Sequence, residues 1–255
     1  MEPFFQIQPK YEERVQWEAL AKREFLGYEV LELFVPPTLN DRERFYHVEK
    51  WYIENKRCTS LHGAFIDVNI ASGDENLRTL SRQKTVLSCE TALRLGVSRV
   101  VFHSSHFPFL CGTYTDNWAA QCADFYEELA EKYNLNLLIE NCQDIDPSPL
   151  EALMRRISDP RIGICLDVGH ANYSQVPIEK WFDQLSDRIA YLHLSDNRGQ
   201  FDNHLPLGCG AVDWQKADAC WRQLHRAVPI TLETGTLSET EASLEFMHRH
   251  SFFGR

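Results

Sequence analysis

No stretch of this chain approaches the roughly 20 consecutive apolar residues that a membrane helix needs, so no membrane partner is expected. The first twenty residues carry Lys10, Glu12, Glu13, Arg14 and Glu18 and have no apolar signal core; a reducing cytoplasm is the expected compartment. Basic charge is scarce: 26 Lys and Arg stand against 37 Asp and Glu, a formal net charge of −11. Clamping nucleic acid by bulk charge needs the opposite balance, because phosphate neutralisation draws on Lys and Arg. The eight cysteines (Cys58, Cys89, Cys111, Cys122, Cys142, Cys165, Cys209 and Cys220) include no Cys-x-x-Cys pair. That scatter excludes a zinc knuckle and a disulfide frame, and the cysteines read as small core residues. No Pro/Gly/Ser linker, short repeat or low-complexity tract divides the chain. Gly208 and Gly210 have no Lys-Ser/Thr beside them, which rules out a nucleotide loop there.

What is present is an ordinary globular composition, 44% hydrophobic and 25% charged, over 255 residues, enough for one full core. Short apolar runs at 4–8, 28–35, 58–65, 99–104, 136–141, 162–168, 189–195 and 229–234 read as buried strands. Longer amphipathic stretches lie between them. In 117–133, Trp118, Cys122, Phe125 and Leu129 recur at helical steps with Glu127, Glu128, Glu131 and Lys132 opposite. The stretch 77–95 ends at Gly96, a residue suited to the left-handed turn after a helix. Eight strand–helix pairs in this length predict one α/β domain over 1–255, a single (β/α)8 TIM barrel. A doubly wound open sheet is the rival, but it usually has fewer strands and a Gly-rich first turn, absent here.

The ionisable residues fall at the carboxyl ends of those strands. His62 lies in the third, His103 closes the fourth, Glu140 the fifth, Asp167 and His170 the sixth. His193 sits in the seventh, Asp202 and His204 in the loop after it, and Glu233 closes the eighth. One such group alone is usually a satisfied core residue. Nine on six consecutive strands would converge on one mouth, where this architecture places its sites. So many carboxylates in a low-dielectric cavity would repel one another unless divalent cations held them. Imidazole and carboxylate together suit zinc first, then Mn, Co or Fe.

With these residues in place, 61–234 resembles the xylose-isomerase-like TIM-barrel superfamily, which holds endonuclease IV (AP endonuclease family 2) and many sugar isomerases and epimerases. The resemblance implies up to three ions: one on His62, His103 and Glu140; one on Glu140, Asp167, His193 and Glu233; one on His170, Asp202 and His204. The second set alone is also the single-metal centre of the epimerases. Three features depart from endonuclease IV: Val168-Gly169-His170 after the sixth strand, Phe65 after His62, and a short loop carrying Asp202-Asn203-His204. His193-Leu194-Ser195-Asp196-Asn197 and the run 202–210 are similar to the sugar phosphate isomerase/epimerase branch.

Two chemistries follow. In an isomerase or epimerase, Glu140 and Glu233 would trade a proton as base and acid on a small sugar or sugar phosphate, and His170 would hold a hydroxyl. In a zinc phosphoesterase, three cations would generate hydroxide and Glu140 would orient it. The extra ligands favour the second on chemical grounds. Charge and loop length weigh against duplex DNA, and the first reading stands ahead; a non-catalytic metal-binding barrel comes last. The cluster Arg155, Arg156 and Arg161 precedes the sixth strand and belongs to the wrong face. Lys10, Arg14, Arg42, Arg44 and Arg198 make a modest phosphate track, better suited to a small phosphorylated substrate than to DNA. The loop 104–114, with His106, Phe107, Phe109 and Tyr114, reads as a lid, as packing over the mouth or as a homo-oligomer contact. Glu32 ends the second strand, binding substrate or pairing with a base inside the barrel. Trp214 anchors the last helix, and His47, His225, His248 and His250 are surface groups.

Overall fold

The computed structural model describes residues 4–110, 113–174 and 176–255; Cys111 lies outside them. Eight parallel strands close on themselves in sequence order, each pairing with the next and β1 with β8. They are β1 (Phe5–Ile7), β2 (Gly27–Val30), β3 (Cys58–His62), β4 (Arg99–His103), β5 (Asn136–Glu140), β6 (Ile162–Asp167), β7 (Ile189–Leu194) and β8 (Ile230–Leu232). Outside run α1 (Arg14–Arg23), α2 (Arg42–Asn55), α3 (Glu75–Leu95), α4 (Tyr114–Tyr133), α5 (Ser148–Met154), α6 (Val168–Asn172), α7 (Ile178–Leu185), α8 (Trp214–Gln223) and α9 (Leu237–His250). The expected (β/α)8 barrel is the fold. Among the described residues no helix is long and apolar enough to cross a membrane.

Local chemistry sets the helix ends. Asp74 accepts hydrogen bonds from the Asn76 and Leu77 amides, so α3 begins two residues before the expected 77. It ends as expected at Gly96, whose φ of +71° favours a residue without a side chain. Helix α4 likewise starts earlier than 117, at Tyr114. The second strand is shorter than the run 28–35: after Val30 the chain turns into a 3-10 segment, Glu32–Phe34. Glu32 therefore stands outside the barrel, accepting from the Tyr11 amide and paired with Arg44 at 2.8 Å.

Two apolar layers result. The large one fills the space between strands and helices; the small one, Val101, Leu138, Cys165 and Tyr191, plugs the barrel axis. Those four lie two residues before His103, Glu140, Asp167 and His193. Because alternate residues of a strand share a face, the plug fixes which side chains stand above it at the mouth. Cys89, Cys122 and Cys220 are buried with Cys165, as expected of small core residues; Cys209 is exposed and departs from that expectation because its loop runs outside the core. Trp214 is buried, its indole N–H donated to Asp196, but it opens α8, and α9 is the last helix.

Candidate metal centre

The structure brings all nine predicted residues to one end of the barrel. Their ligand atoms form groups within 4.8 Å: His62, His103 and Glu140; His170, Asp202 and His204; Glu140, Asp167, His193 and Glu233; and also His62, His193 and Glu233. Glu140 is at the centre. Its Oε2 lies 3.3 Å from His62 Nε2 and 3.5 Å from His103 Nε2; its Oε1 lies 3.1 Å from His193 Nδ1 and 3.5 Å from His170 Nδ1. Burial opposes its ionisation, but His193 and His103 beside it hold its carboxyl well below the usual range.

His170 does not close a strand as the sequence suggested. It lies in α6, because the Asp167 side chain caps that helix by accepting the His170 amide at 2.6 Å. One carboxylate oxygen of Asp167 thus holds backbone, and the other is free for the site.

The imidazoles are oriented from behind. His62 Nδ1 is 3.1 Å from the Gly63 carbonyl, His170 Nδ1 is 2.7 Å from that of Asn141, and His204 Nδ1 is 3.0 Å from that of Glu233. A ring that donates Nδ1–H to a carbonyl keeps its lone pair on Nε2, as metal-ligating histidines do. For His170 and His204 those Nε2 atoms converge on Asp202 Oδ2, at 3.2 and 2.9 Å.

His193 is oriented by a residue the sequence reading passed over. Its Nε2 lies 3.0 Å from the carboxylate of Glu29 on β2, which is fully buried. Gln8 donates to Glu29 at 2.9 Å and also to Glu233; Ser60 and Thr231 hydroxyls reach the other Glu29 oxygen. The signal was the two-residue alternation: on β2 the inward acid is Glu29, not Glu32.

Without a cation this arrangement is electrostatically incomplete. Glu140 Oε2 and Asp167 Oδ2 are buried without hydrogen-bond partners. Burial pushes Asp167 up to about 7 and His103 down to about 3, and Asp202 pushes His204 up to about 9 against its burial. Leaving ionised carboxylates dry costs several kcal/mol per ion. A divalent cation among these nitrogen and oxygen donors removes that cost, so the residues fit a zinc-type ion.

The loop carrying Asp202 and His204 is clamped by Asp196, whose carboxylate accepts from the amides of Asn197, Gly208 and Val212 and from Trp214. Gly210 crosses so closely that a Cβ there would lie 2.3 Å from the Asn197 carbonyl oxygen. Behind His103 and Glu140, Asp144 accepts from Ser104 at 2.7 Å, with His106 Nδ1 3.7 Å away. Burial pushes Asp144 from 3.8 up to about 6. A carboxyl raised on folding binds its proton more tightly when folded, so its contribution to stability falls as pH rises through that window, by about 3 kcal/mol in full. Asp144→Asn is therefore expected to raise the melting temperature at pH 7.5 by several degrees and to leave it unchanged below pH 4. Scanning calorimetry at both pH values checks this; an equal shift at both excludes the ionisation as its cause.

Other groups stay apart from the centre. His47, His225, His248 and His250 are exposed, with His225 past the end of α8 and not on a helix. His106 is buried against Trp118, whereas Phe107 and Phe109 stand exposed. Arg155, Arg156 and Arg161 lie before β6 and pair with Glu151, Asp116 and Asp159.

Similarity to known proteins agrees with this architecture. An uncharacterised protein of Methanocaldococcus jannaschii is 26% identical over 202 residues, covering 74% of this chain and 69% of that protein. Fructoselysine 3-epimerase of Escherichia coli O157:H7 is 24% identical over 161 residues, 56% of this chain and 55% of that one. A probable endonuclease 4 of Mycobacterium ulcerans is 23% identical over 189 residues, 68% and 71% of the two chains. Among solved structures, a D-tagatose 3-epimerase-like protein superposes with a TM-score of 0.80 at 21% identity, covering 98% of this chain and 97% of that one. A Thermus thermophilus protein soaked with zinc chloride gives 0.76 at 22% identity over the same shares. Residues 20–250 match the xylose isomerase-like TIM barrel family, and the chain belongs to it.

Proposed function

We propose that this protein is a divalent-metal-dependent epimerase or isomerase of a small sugar. The observation that carries the reading is the tetrad Glu140, Asp167, His193 and Glu233: two glutamates from β5 and the end of β8, within 4.8 Å of each other and of one imidazole, buried at one mouth. A cation held there by those four residues would acidify a carbon-bound proton beside a sugar carbonyl. Glu140, kept ionised by its histidines, is the base that takes the proton. Glu233, positioned by Gln8, returns one. His170, with Nδ1 committed to the Asn141 carbonyl, would exchange the Nε2 contact with Asp202 for a substrate hydroxyl when no third ion is bound. The similarity to fructoselysine 3-epimerase and to the D-tagatose 3-epimerase-like fold supports this chemistry.

A second reading, a phosphodiester hydrolase that would work through three bound zinc ions, is favoured by the convergence of His170, Asp202 and His204 on one another. The surroundings weaken it: Arg44 at the mouth is engaged by Glu12 and Glu32, and the densest basic cluster is on the opposite face. Protein purified without chelator is expected to carry a divalent ion and to wash solvent deuterium into a ketose. Three zinc equivalents with nicking of an abasic duplex and no deuterium uptake would replace the epimerase by the hydrolase. Absence of bound metal under any loading would remove both.

A further inference from the structure

A cavity of about 590 Å³ opens beside the metal ligands, between the segments after β1, β2 and β8. Its near end is formed by Gln8, which bonds Glu233, by His204 and by Thr234. From there its wall is carbon: Leu31 and Val35 half-buried, Pro36 and Pro37 exposed. At the far end the Arg44 guanidinium is taken up by Glu12 and by Glu32 at 2.8 Å, and its Nε donates to Thr38 at 2.7 Å. Lys10 donates to the Gly235 carbonyl.

These surroundings discriminate between substrates. Pockets of about 300–1,000 Å³ enclose drug-sized ligands, and a bare monosaccharide at the tetrad would leave this cavity to water. Along the carbon wall, sugar hydroxyls would lose hydrogen bonds to water without replacement. A phosphate would have to displace two carboxylates from Arg44 and would meet Glu12 and Glu32 beside it, with Lys10 as the one other Lys or Arg among the described residues that line the cavity. An apolar group, by contrast, buries its surface against Leu31, Val35, Pro36 and Pro37 at no polar cost. We infer that the substrate is a sugar carrying an uncharged apolar substituent, an alkyl or aryl group, with the sugar at the metal ligands and the substituent in this cavity. The inference rests on the epimerase reading for the position of the sugar.

The test compares D-fructose, D-fructose 6-phosphate and the 1-O-benzyl and 6-O-benzyl ethers of D-fructose with metal-loaded protein. Solvent-deuterium uptake and calorimetric binding are both measured. One benzyl ether is expected to exceed D-fructose in affinity and in kcat/KM by roughly 10- to 100-fold, the factor for burying one aromatic group. Val35→Trp, which narrows the cavity at its apolar wall, should reduce that ratio; Val35→Glu, which places a carboxylate on the same wall, should erase it. Equal or better binding and exchange with D-fructose or its phosphate would overturn the inference and leave the epimerase reading standing. Benzyl-ether binding that is weakened in both variants, with no exchange into any sugar, would uphold the cavity and overturn the epimerase. A benzyl preference unchanged in both variants would place the substituent elsewhere and overturn the inference.

Discussion

Glu140→Gln is expected to lower kcat by about 10²- to 10⁴-fold, the range set by loss of a positioned general base. The substitution keeps volume and shape, so the barrel should fold unchanged, as circular dichroism can verify. What is lost is the charge that four imidazoles face, those of His62, His103, His170 and His193. Glutamine has no basic oxygen for a carbon-bound proton and is a poor cation ligand, so metal content per chain should fall with the rate. Full turnover in this variant would remove Glu140 from the mechanism under either chemistry.

Glu29→Gln should weaken divalent-metal binding by about 10- to 100-fold, the usual cost of altering a carboxylate behind a ligating histidine. Glu29 is not itself one of the candidate ligands; it acts through the His193 Nε2, 3.0 Å away. The amide oxygen can still accept that N–H, so packing is kept, but the imidazole becomes a weaker electron donor. Titration calorimetry with zinc or manganese reads the affinity directly. A merely structural role predicts lower melting temperature with unchanged affinity. Affinity equal to the parent would exclude Glu29 from orienting the site, and Glu29→Asp, which keeps the charge, should recover part of the loss.

How much of this was legible in the sequence depends on which physical rule governed each residue. The barrel was, because eight buried runs separated by amphipathic stretches leave few ways to cover every strand. The residues ending strands were legible for the same reason: His103, Glu140 and Asp167 sit at the carboxyl ends of apolar runs, and a closed barrel sends such ends to one mouth. Glu32 was placed at the end of the second strand and Glu29 was passed over because an apolar run does not say where a strand stops. The run 28–35 continues through Leu33 and Phe34, but the chain leaves the sheet after Val30, and parity then selects Glu29. His170 was close to its place but in the wrong element, since the Asp167 cap that starts α6 depends on a bond three residues long, not on composition.

The sequence by itself therefore determined the fold, the end of the barrel that carries chemistry and the donor types available to a cation, because periodicity and residue type are properties of the chain. Tertiary structure decided how those donors share work. It chose the ring nitrogen that each histidine leaves free through the carbonyls of Gly63, Asn141 and Glu233, and it placed Glu29 behind His193. It also set an apolar wall beside the ligands and closed Arg44 between two acids. Those are relations between strands and loops far apart in the chain, fixed only when the barrel closes and brings β1, β2 and β8 together.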